Sequence, residues 1–282
     1  MHLRRLALVV TAIGLAGCGR LDELTYEPPT TPAQWCEQRP CIEVADTVIN
    51  EPIGIVLVFA LALMWIGSGL YFLATRRGQR SRLWFGIALV LGGVGAGLAG
   101  TSYQLFSYVL KCQGRDLCSL TNGYEVAYSV TQAWSVSAMV VAVAFATTSG
   151  RARTALVWYA ALNAVAYCAV TIVGVSTPSA LLLSFPVLML FALPGVIIVM
   201  VISARRLRAP KERAIFTAAV LLILVQVAYY AYWASGLTQT LWDGGNGFYF
   251  SENDVLHIGF ILWLGYVVWR LGPTLDDRSE SR

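Results

Sequence analysis

The sequence predicts an all-α membrane protein with seven transmembrane helices, and three observations carry that prediction. Apolar residues make up 57% of the chain and charged residues only 13%, with a mean hydropathy of +0.64, unlike a soluble domain. The apolar residues fall into seven runs of about 18 to 25 residues, the length that a helix needs to cross a bilayer. Lys and Arg are concentrated in alternate connections between these runs.

The first element, residues 1–17, is predicted to be a cleaved signal peptide. Arg4 and Arg5 precede the short apolar stretch LALVVTAIGLAG. That stretch ends in LAGC, which resembles the bacterial lipobox, so we expect Cys18 to carry lipid such as palmitate. An uncleaved signal anchor is the alternative. Residues 18–52 are polar, contain prolines and lack a helical period, which predicts an exported linker.

The transmembrane domain is predicted to extend over residues 53–271, followed by a short tail at 272–282. The glycines of GGVGAGLAG predict close helix contact in the second segment. Pro186 and Pro194 predict a kinked fifth segment. The seven predicted segments, with ends uncertain by a few residues, are 53–75, 83–106, 125–148, 154–175, 180–203, 214–234 and 254–271.

The distribution of basic residues predicts the orientation. With the N-terminus outside, the inside connections and tail hold fourteen Lys and Arg residues, and the outside segments hold four. Cytoplasmic loops carry such an excess, so the chain is expected to be N-out and C-in, in a bacterial inner membrane with a periplasmic N-terminus. This asymmetry also accounts for the net charge of +4, so we expect membrane lipids and no nucleic acid as partners.

Four cysteines fall in segments predicted to lie outside, where disulfides persist: Cys36, Cys41, Cys112 and Cys118. Two bridges are expected, either within each segment or crossing between the two segments, and the spacing leaves both pairings open. A metal site is the alternative, although no histidine accompanies these cysteines. Cys168, in the fourth segment, is expected to be a packing residue.

Polar residues of three segments are expected to meet at the outer membrane level, where buried polar groups need partners. Asn253 and His257 are four residues apart and therefore share a helix face. Glu125 and Asp254 have a simpler interpretation as helix N-caps, and His257 as a neutral hydrogen-bonded side chain. The residues predicted to converge are Gln104, Asn122, Glu125, Asn253, Asp254 and His257.

Two short motifs, GLAGTSYQ (97–104) and NDVLH (253–257), resemble motifs of the seven-helix superfamily of alkaline ceramidases and progestin/adipoQ-type receptors. Members of that superfamily hold an intramembrane zinc with one histidine on helix two and two on helix seven, assisted by a serine and an aspartate. In this chain Gly100 stands at the serine position, Gln104 at the first histidine and Asn253 at the second. Only His257 remains, so the resemblance implies a divergent member without the three-histidine zinc site.

Three functions follow as hypotheses. The first is a non-catalytic membrane protein without a resident cofactor, whose polar cluster, with Gln104, Asn122 and Asn253, binds a lipid head group or other small ligand or merely holds the helices together. The alternative is a metal-dependent hydrolase of lipid amides or esters. It would hold zinc through His257, with Glu125 and Asp254 as further ligands or as the catalytic base. A small-ligand sensor or transporter is the third.

Overall fold

The computed structural model describes residues 20–245 and 247–278, so the predicted signal peptide, Cys18 and the last four residues lie outside it. Within the described residues, seven helices are long and apolar enough to cross a membrane, and the chain is accordingly a multi-pass membrane protein. The seven helices are α2 (Pro52–Ala74), α3 (Arg80–Ala99), α5 (Gly123–Thr147), α6 (Gly150–Ser176), α7 (Phe185–Ala204), α8 (Pro210–Ser235) and α10 (Glu252–Tyr266). α3 and α10 each continue as π-helix, over Gly100–Leu105 and Val267–Leu271.

Each predicted segment corresponds to one of these helices, and the largest difference is at the start of α7. The helix begins at Phe185, five residues later than predicted. The Ser184 hydroxyl accepts a hydrogen bond from the Val187 amide at 3.5 Å, which caps the helix. Pro186 therefore lies in the first turn, where its missing N–H costs nothing, and only Pro194 lies inside the helix.

The glycine-rich stretch of α3 packs between α2 and α5, as the sequence predicted. A Cβ at Gly93 would lie 2.6 Å from Ile66 of α2, and one at Gly95 would lie 2.7 Å from the Gln132 amide of α5. The same amide nitrogen donates to the Gly92 carbonyl at 3.2 Å. Small residues thus bring three helix backbones close together, which is how membrane helices associate without a hydrophobic driving force.

Residues 20–51, the N-terminal segment, are folded, whereas a linker was expected over 18–52. It contains α1 (Pro32–Gln38) and an antiparallel hairpin of β1 (Ile42–Val44) and β2 (Thr47–Ile49). It packs on α4 (Ser107–Lys111) and the loop that follows α4, where the Leu120 amide donates to the Leu24 carbonyl at 2.6 Å. Aromatic and half-cystine side chains around the buried Trp35 hold this contact.

The cysteines form two local disulfides, Cys36–Cys41 and Cys112–Cys118, so the crossing arrangement is wrong. The first bridge joins α1 to the residues just after it, and the second closes the loop after α4. Both lie in the cluster around Trp35. Cys168 of α6 is half-buried, and its sulfur accepts a hydrogen bond from the Trp134 indole at 3.2 Å. Its predicted packing position is confirmed.

Successive helices run in opposite directions, so the connections between them lie on two opposite faces of the bundle. The cap face carries residues 20–51, 106–122 and 177–184 and the segment after α8 that contains α9 (Leu237–Asp243). The arginine face carries the connections at 75–79, 148–149 and 205–209 and the tail 272–278.

The tail is docked on the arginine face through Asp277. The carboxylate of Asp277 accepts from the amides of Ser81 and Arg80 at 2.7 and 2.9 Å, which caps α3. Burial raises the pKa of Asp277, but these hydrogen bonds outweigh it, so the net pKa shift is downward. The buried Arg82 guanidinium donates to the Gly272 carbonyl at 2.7 Å and fixes the start of the tail.

Candidate functional site

The polar residues that were predicted to converge lie near the cap face, but they form two separate networks. The ion-pair cluster consists of Tyr26, Ser102, Lys111, Asn122 and Glu125. The acceptor cluster consists of Glu51, Gln104 and Asp254, and His257 lies one turn further along α10. Within the described part of the chain, no hydrogen bond joins the two clusters.

The ion-pair cluster is built on a buried salt bridge. Lys111 Nζ lies 2.6 Å from Glu125 Oε1, and the two side chains are only 2% and 5% exposed. Ser102 Oγ donates to the same carboxylate oxygen at 2.8 Å, and Lys111 Nζ donates to the Tyr26 hydroxyl at 3.0 Å. Burial lowers the pKa of Lys111, but the Glu125 charge more than offsets it, so the pKa is raised. Lys111 is therefore a cation at neutral pH, fully engaged by Glu125.

Asn122, expected to bind a ligand, is the N-cap of α5. Its Oδ1 accepts from the amides of Tyr124 and Glu125 at 2.9 and 3.3 Å, and its Nδ2 donates to Ser102 Oγ at 2.7 Å. The capping interpretation of Glu125 is therefore wrong, because Asn122 fills that position. Glu125 Oε1 is held by Lys111 and Ser102, so Glu125 could act as a metal ligand or general base only through its other oxygen or by giving up the Lys111 ion pair.

The acceptor cluster surrounds Gly54 in the first turn of α2. A Cβ at Gly54 would lie 2.8 Å from Gln104 Cγ, 3.2 Å from Asp254 Oδ1 and 3.5 Å from Glu51 Cβ. The absent side chain of Gly54 thus lets groups from α2, the π-helical end of α3 and α10 approach one another. Gln104, Asp254 and Glu51 are 2%, 0% and 4% exposed. Three buried polar side chains therefore meet at one point.

Asp254 has two differently placed oxygens. Its Oδ2 accepts from the Ser251 amide at 2.7 Å and the Ser251 hydroxyl at 3.2 Å, so the predicted capping of α10 is confirmed. Its Oδ1 points to Gly54 and has no hydrogen-bond partner. His257, three residues on, shares the buried face of α10 with Asp254 and is 7% exposed, whereas Asn253 is only half-buried. The residue that shares the inward face of α10 with His257 is therefore Asp254, and not Asn253 as the sequence predicted.

The acceptor cluster is unusual in leaving polar atoms without partners. An unpaired buried polar group costs about 1–3 kcal/mol, so several together are costly unless water or a ligand satisfies them. The Gln104 amide oxygen and the oxygens of ionised carboxylates are hydrogen-bond acceptors. The buried atoms of this cluster without a hydrogen-bond partner are Glu51 Oε2, Gln104 Oε1 and Asp254 Oδ1, and His257 Nδ1, one turn along α10, also lacks one.

The pKa of Glu51, at the N-cap position of α2, depends on the burial and the charges of this cluster. Burial raises the pKa of Glu51 to about 8, with Asp254 and Glu252 adding to the rise. The Arg39 guanidinium, 3.7 Å away, and the nearby Tyr249 hydroxyl oppose it. Burial thus outweighs the Arg39 charge and keeps the Glu51 carboxyl group largely protonated at neutral pH.

Sequence reasoning missed Lys111 and Glu51 because both stand outside the apolar segments. Lys111 was counted as an ordinary outside charge, and Glu51 as part of the linker. One signal was available for Glu51, which directly precedes Pro52 at the start of an apolar helix. The burial of Lys111 depends on Tyr26 and Trp35 of the N-terminal segment, whose rings lie 5.6 and 5.9 Å from its ammonium group. That fold could not be foreseen from composition.

Within residues 20–245 and 247–278, no three His, Cys, Asp or Glu side chains are grouped so that they could hold a metal ion. Glu125 lies in the ion-pair cluster, apart from Asp254 and His257, so the structure does not assemble the predicted ligand set. Comparison of the chain with models of known families, with curated proteins and with solved structures finds no match.

Proposed function

We propose that this chain is a non-catalytic membrane protein whose acceptor cluster binds a small ligand bearing hydrogen-bond donors, such as the ammonium group of a lipid head group. This proposal rests on three buried oxygens without hydrogen-bond partners, whose side chains come from three separate elements and meet at Gly54. An ammonium group supplies three donors and no acceptor, which complements these oxygens. Its charge would also lower the raised pKa of Glu51.

The orientation proposed for the chain is N-out and C-in, in a bacterial inner membrane. It is supported by the fourteen basic residues on one set of connections against four on the other. The acceptor cluster then lies in the periplasmic leaflet, within reach of lipid head groups. The disulfides of the cap face fit an oxidising compartment.

Kinship with the ceramidase and progestin/adipoQ-type superfamily is also proposed, as a divergent and non-catalytic member. Its support is the seven spans and the meeting of Gln104 with the start of α10 at Gly54, since these are the two places where that superfamily places its histidines. Replacement of two histidine positions by Gln104 and Asn253 keeps hydrogen bonding and discards metal affinity.

The test compares two lipids that differ in their donors. Full-length protein is reconstituted with phosphatidylethanolamine or phosphatidylcholine, and bound lipid is counted by native mass spectrometry. Choline has no N–H group, so the protein should retain the ethanolamine lipid preferentially. Gln104→Leu should abolish this preference, and Gln132→Leu, which removes a half-buried amide bonded to the Gly92 carbonyl instead, should preserve it.

Equal retention of the two lipids by the parent protein would contradict the proposal. The proposal would also fail if Gln132→Leu lost the preference for the ethanolamine lipid as fully as Gln104→Leu. Elemental analysis of the same samples tests the hydrolase alternative. Stoichiometric zinc in the parent protein that disappears in His257→Ala would favour a metal-dependent hydrolase over the non-catalytic proposal.

A further inference from the structure

A second polar region lies at the arginine face, at the opposite end of the helices from the acceptor cluster. A cavity of about 480 Å³ opens there between the ends of α5 and α7, the starts of α6 and α8, and the tail. Its charged lining consists of Arg205, Arg206 and Arg278 with Glu212. Three guanidinium groups against one carboxylate leave the cavity positively charged.

Arg278 is held in place by the backbone of α5. Its guanidinium donates to the Thr147 carbonyl at 2.7 Å, and its amide donates to the Phe145 carbonyl at 2.9 Å. Arg205 and Arg206 are exposed on the turn after α7, so their guanidinium groups remain open to a ligand. Guanidinium binds phosphate through paired N–H donors, which favours a phosphate over a simple counter-ion.

The cavity also includes the N-terminus of α6, a helix of 27 residues. Ser149 is the N-cap residue and lines the cavity together with Ala152 of the first turn. The Ser149 side chain makes no capping hydrogen bond, so no side chain covers the first amides of the helix. Amides at a helix start, together with the helix dipole, favour an anion in this position.

The charged cavity also has an apolar side, formed by Ala155 and Leu156 of α6 and Ile202 of α7. Ile202 precedes Arg205 and Arg206 by three and four positions, about one helical turn of roughly 5.4 Å. Leu156 follows Ser149 by seven positions, about two turns further from the arginine face. The lining therefore changes from polar to apolar along the helix axes.

We propose that this cavity binds an anionic phospholipid, with its phosphate on the arginines and the start of its acyl chains against Leu156 and Ile202. Anion-binding and apolar groups follow one another along the membrane normal within one cavity, which matches an amphiphile better than a soluble anion. Basic pockets between transmembrane helices at the more positive face suit such head groups. The site is distinct from the acceptor cluster and does not depend on the function proposed for it.

The experiment measures lipid affinity of the delipidated full-length protein by native mass spectrometry. Phosphatidylglycerol is titrated against phosphatidylcholine, and glycerol phosphate serves as a soluble head group. Phosphatidylglycerol should bind at least about tenfold more tightly than phosphatidylcholine, since each nearby basic residue favours an anionic lipid. The double variant Arg205→Gln/Arg206→Gln should weaken phosphatidylglycerol binding about 30-fold.

Arg208→Gln is the matched control, because Arg208 is an exposed arginine of the same turn that does not line the cavity. Ile202→Trp, at the apolar side of the cavity, should weaken phosphatidylglycerol binding without any change of charge. Three outcomes would overturn the proposal: equal affinity for the two lipids, an equal loss in Arg208→Gln, or glycerol phosphate binding as tightly as the lipid. The last would identify a soluble phosphate ester as the ligand.

Discussion

Replacing Lys111 with methionine should lower the free energy of unfolding by roughly 3–5 kcal/mol, because it leaves the buried Glu125 carboxylate without a counter-charge. The two groups are 2.6 Å apart, and both side chains are nearly inaccessible to water. Methionine retains an unbranched apolar stem, so little of the effect comes from lost packing. At roughly 2–4 °C per kcal/mol for a protein of this size, the unfolding midpoint should fall by about 10 °C.

Burial is the variable that separates this pair from an ordinary ion pair, and the chain offers a matched control. Lys211 lies at the same 2.6 Å distance from Asp276, but those side chains are 18% and 60% exposed. Lys211→Met should therefore change the free energy of unfolding by only about 0–1 kcal/mol. The double variant Lys111→Met/Glu125→Gln should recover much of the loss, since no unpaired charge remains.

The assay is unfolding in detergent at neutral pH, followed by the fluorescence of the nine tryptophans. The parent, Lys111→Met, Glu125→Gln and their double variant form a double-mutant cycle, and Lys211→Met is measured alongside as the control. The pKa of Lys111 is raised in the folded protein, so its contribution is fully present at neutral pH and is lost only in strongly alkaline solution. The reasoning fails if Lys111→Met destabilises no more than Lys211→Met, or if the double variant shows the sum of the two single losses.

Two further predictions concern the helix contacts and the pH dependence of stability. Gly93→Ala should cost about 1–3 kcal/mol by overpacking against Ile66, and Gly97→Ala, whose Cβ would meet nothing within 4 Å, should be neutral or slightly stabilising in the same unfolding assay. The pKa of Glu51 rises from 4.5 to about 8 on folding, so its contribution to stability is greatest below pH 4.5 and is lost as the pH rises toward 8. Unfolding midpoints across that range should show this loss in the parent protein and a smaller one in Glu51→Gln; identical pH profiles would contradict it.

The seven spans could be predicted because the bilayer imposes a length and a composition on each helix separately. A run of about 20 apolar residues needs no knowledge of its neighbours, and all seven helices lie within a few residues of their predicted bounds. The N-terminal segment could not be predicted in this way. Its order depends on contacts with distant sequence, such as the Leu120 amide with the Leu24 carbonyl, which leave no period in either segment.

The candidate site was likewise predictable from the sequence only in part. The depth of each polar residue in the membrane could be inferred from the sequence, so Gln104 and Asp254 were correctly expected to be near one another. The rotation of each helix about its axis could not be inferred, because an apolar helix with one polar residue has no polar face that indicates its direction. Glu125 was consequently grouped with Asp254, although its carboxylate faces Lys111. The partner lay in a segment that had been treated as solvent-exposed.

The folded N-terminal segment connects the two clusters of the cap face. Tyr26 supplies a hydrogen-bond acceptor to Lys111, and Asn50, which is fully buried, accepts from the Tyr108 amide at 2.9 Å and donates to the Pro40 carbonyl at 2.9 Å. Asn50 immediately precedes Glu51, so the contact that anchors the hairpin to α4 also sets the position of the Glu51 carboxyl. Water is thus kept from the ion pair and from the acceptor cluster by the same segment. Because removal of water strengthens every electrostatic interaction inside, ligand binding at Glu51 and the stability of the Lys111 pair should both depend on the fold of residues 20–51.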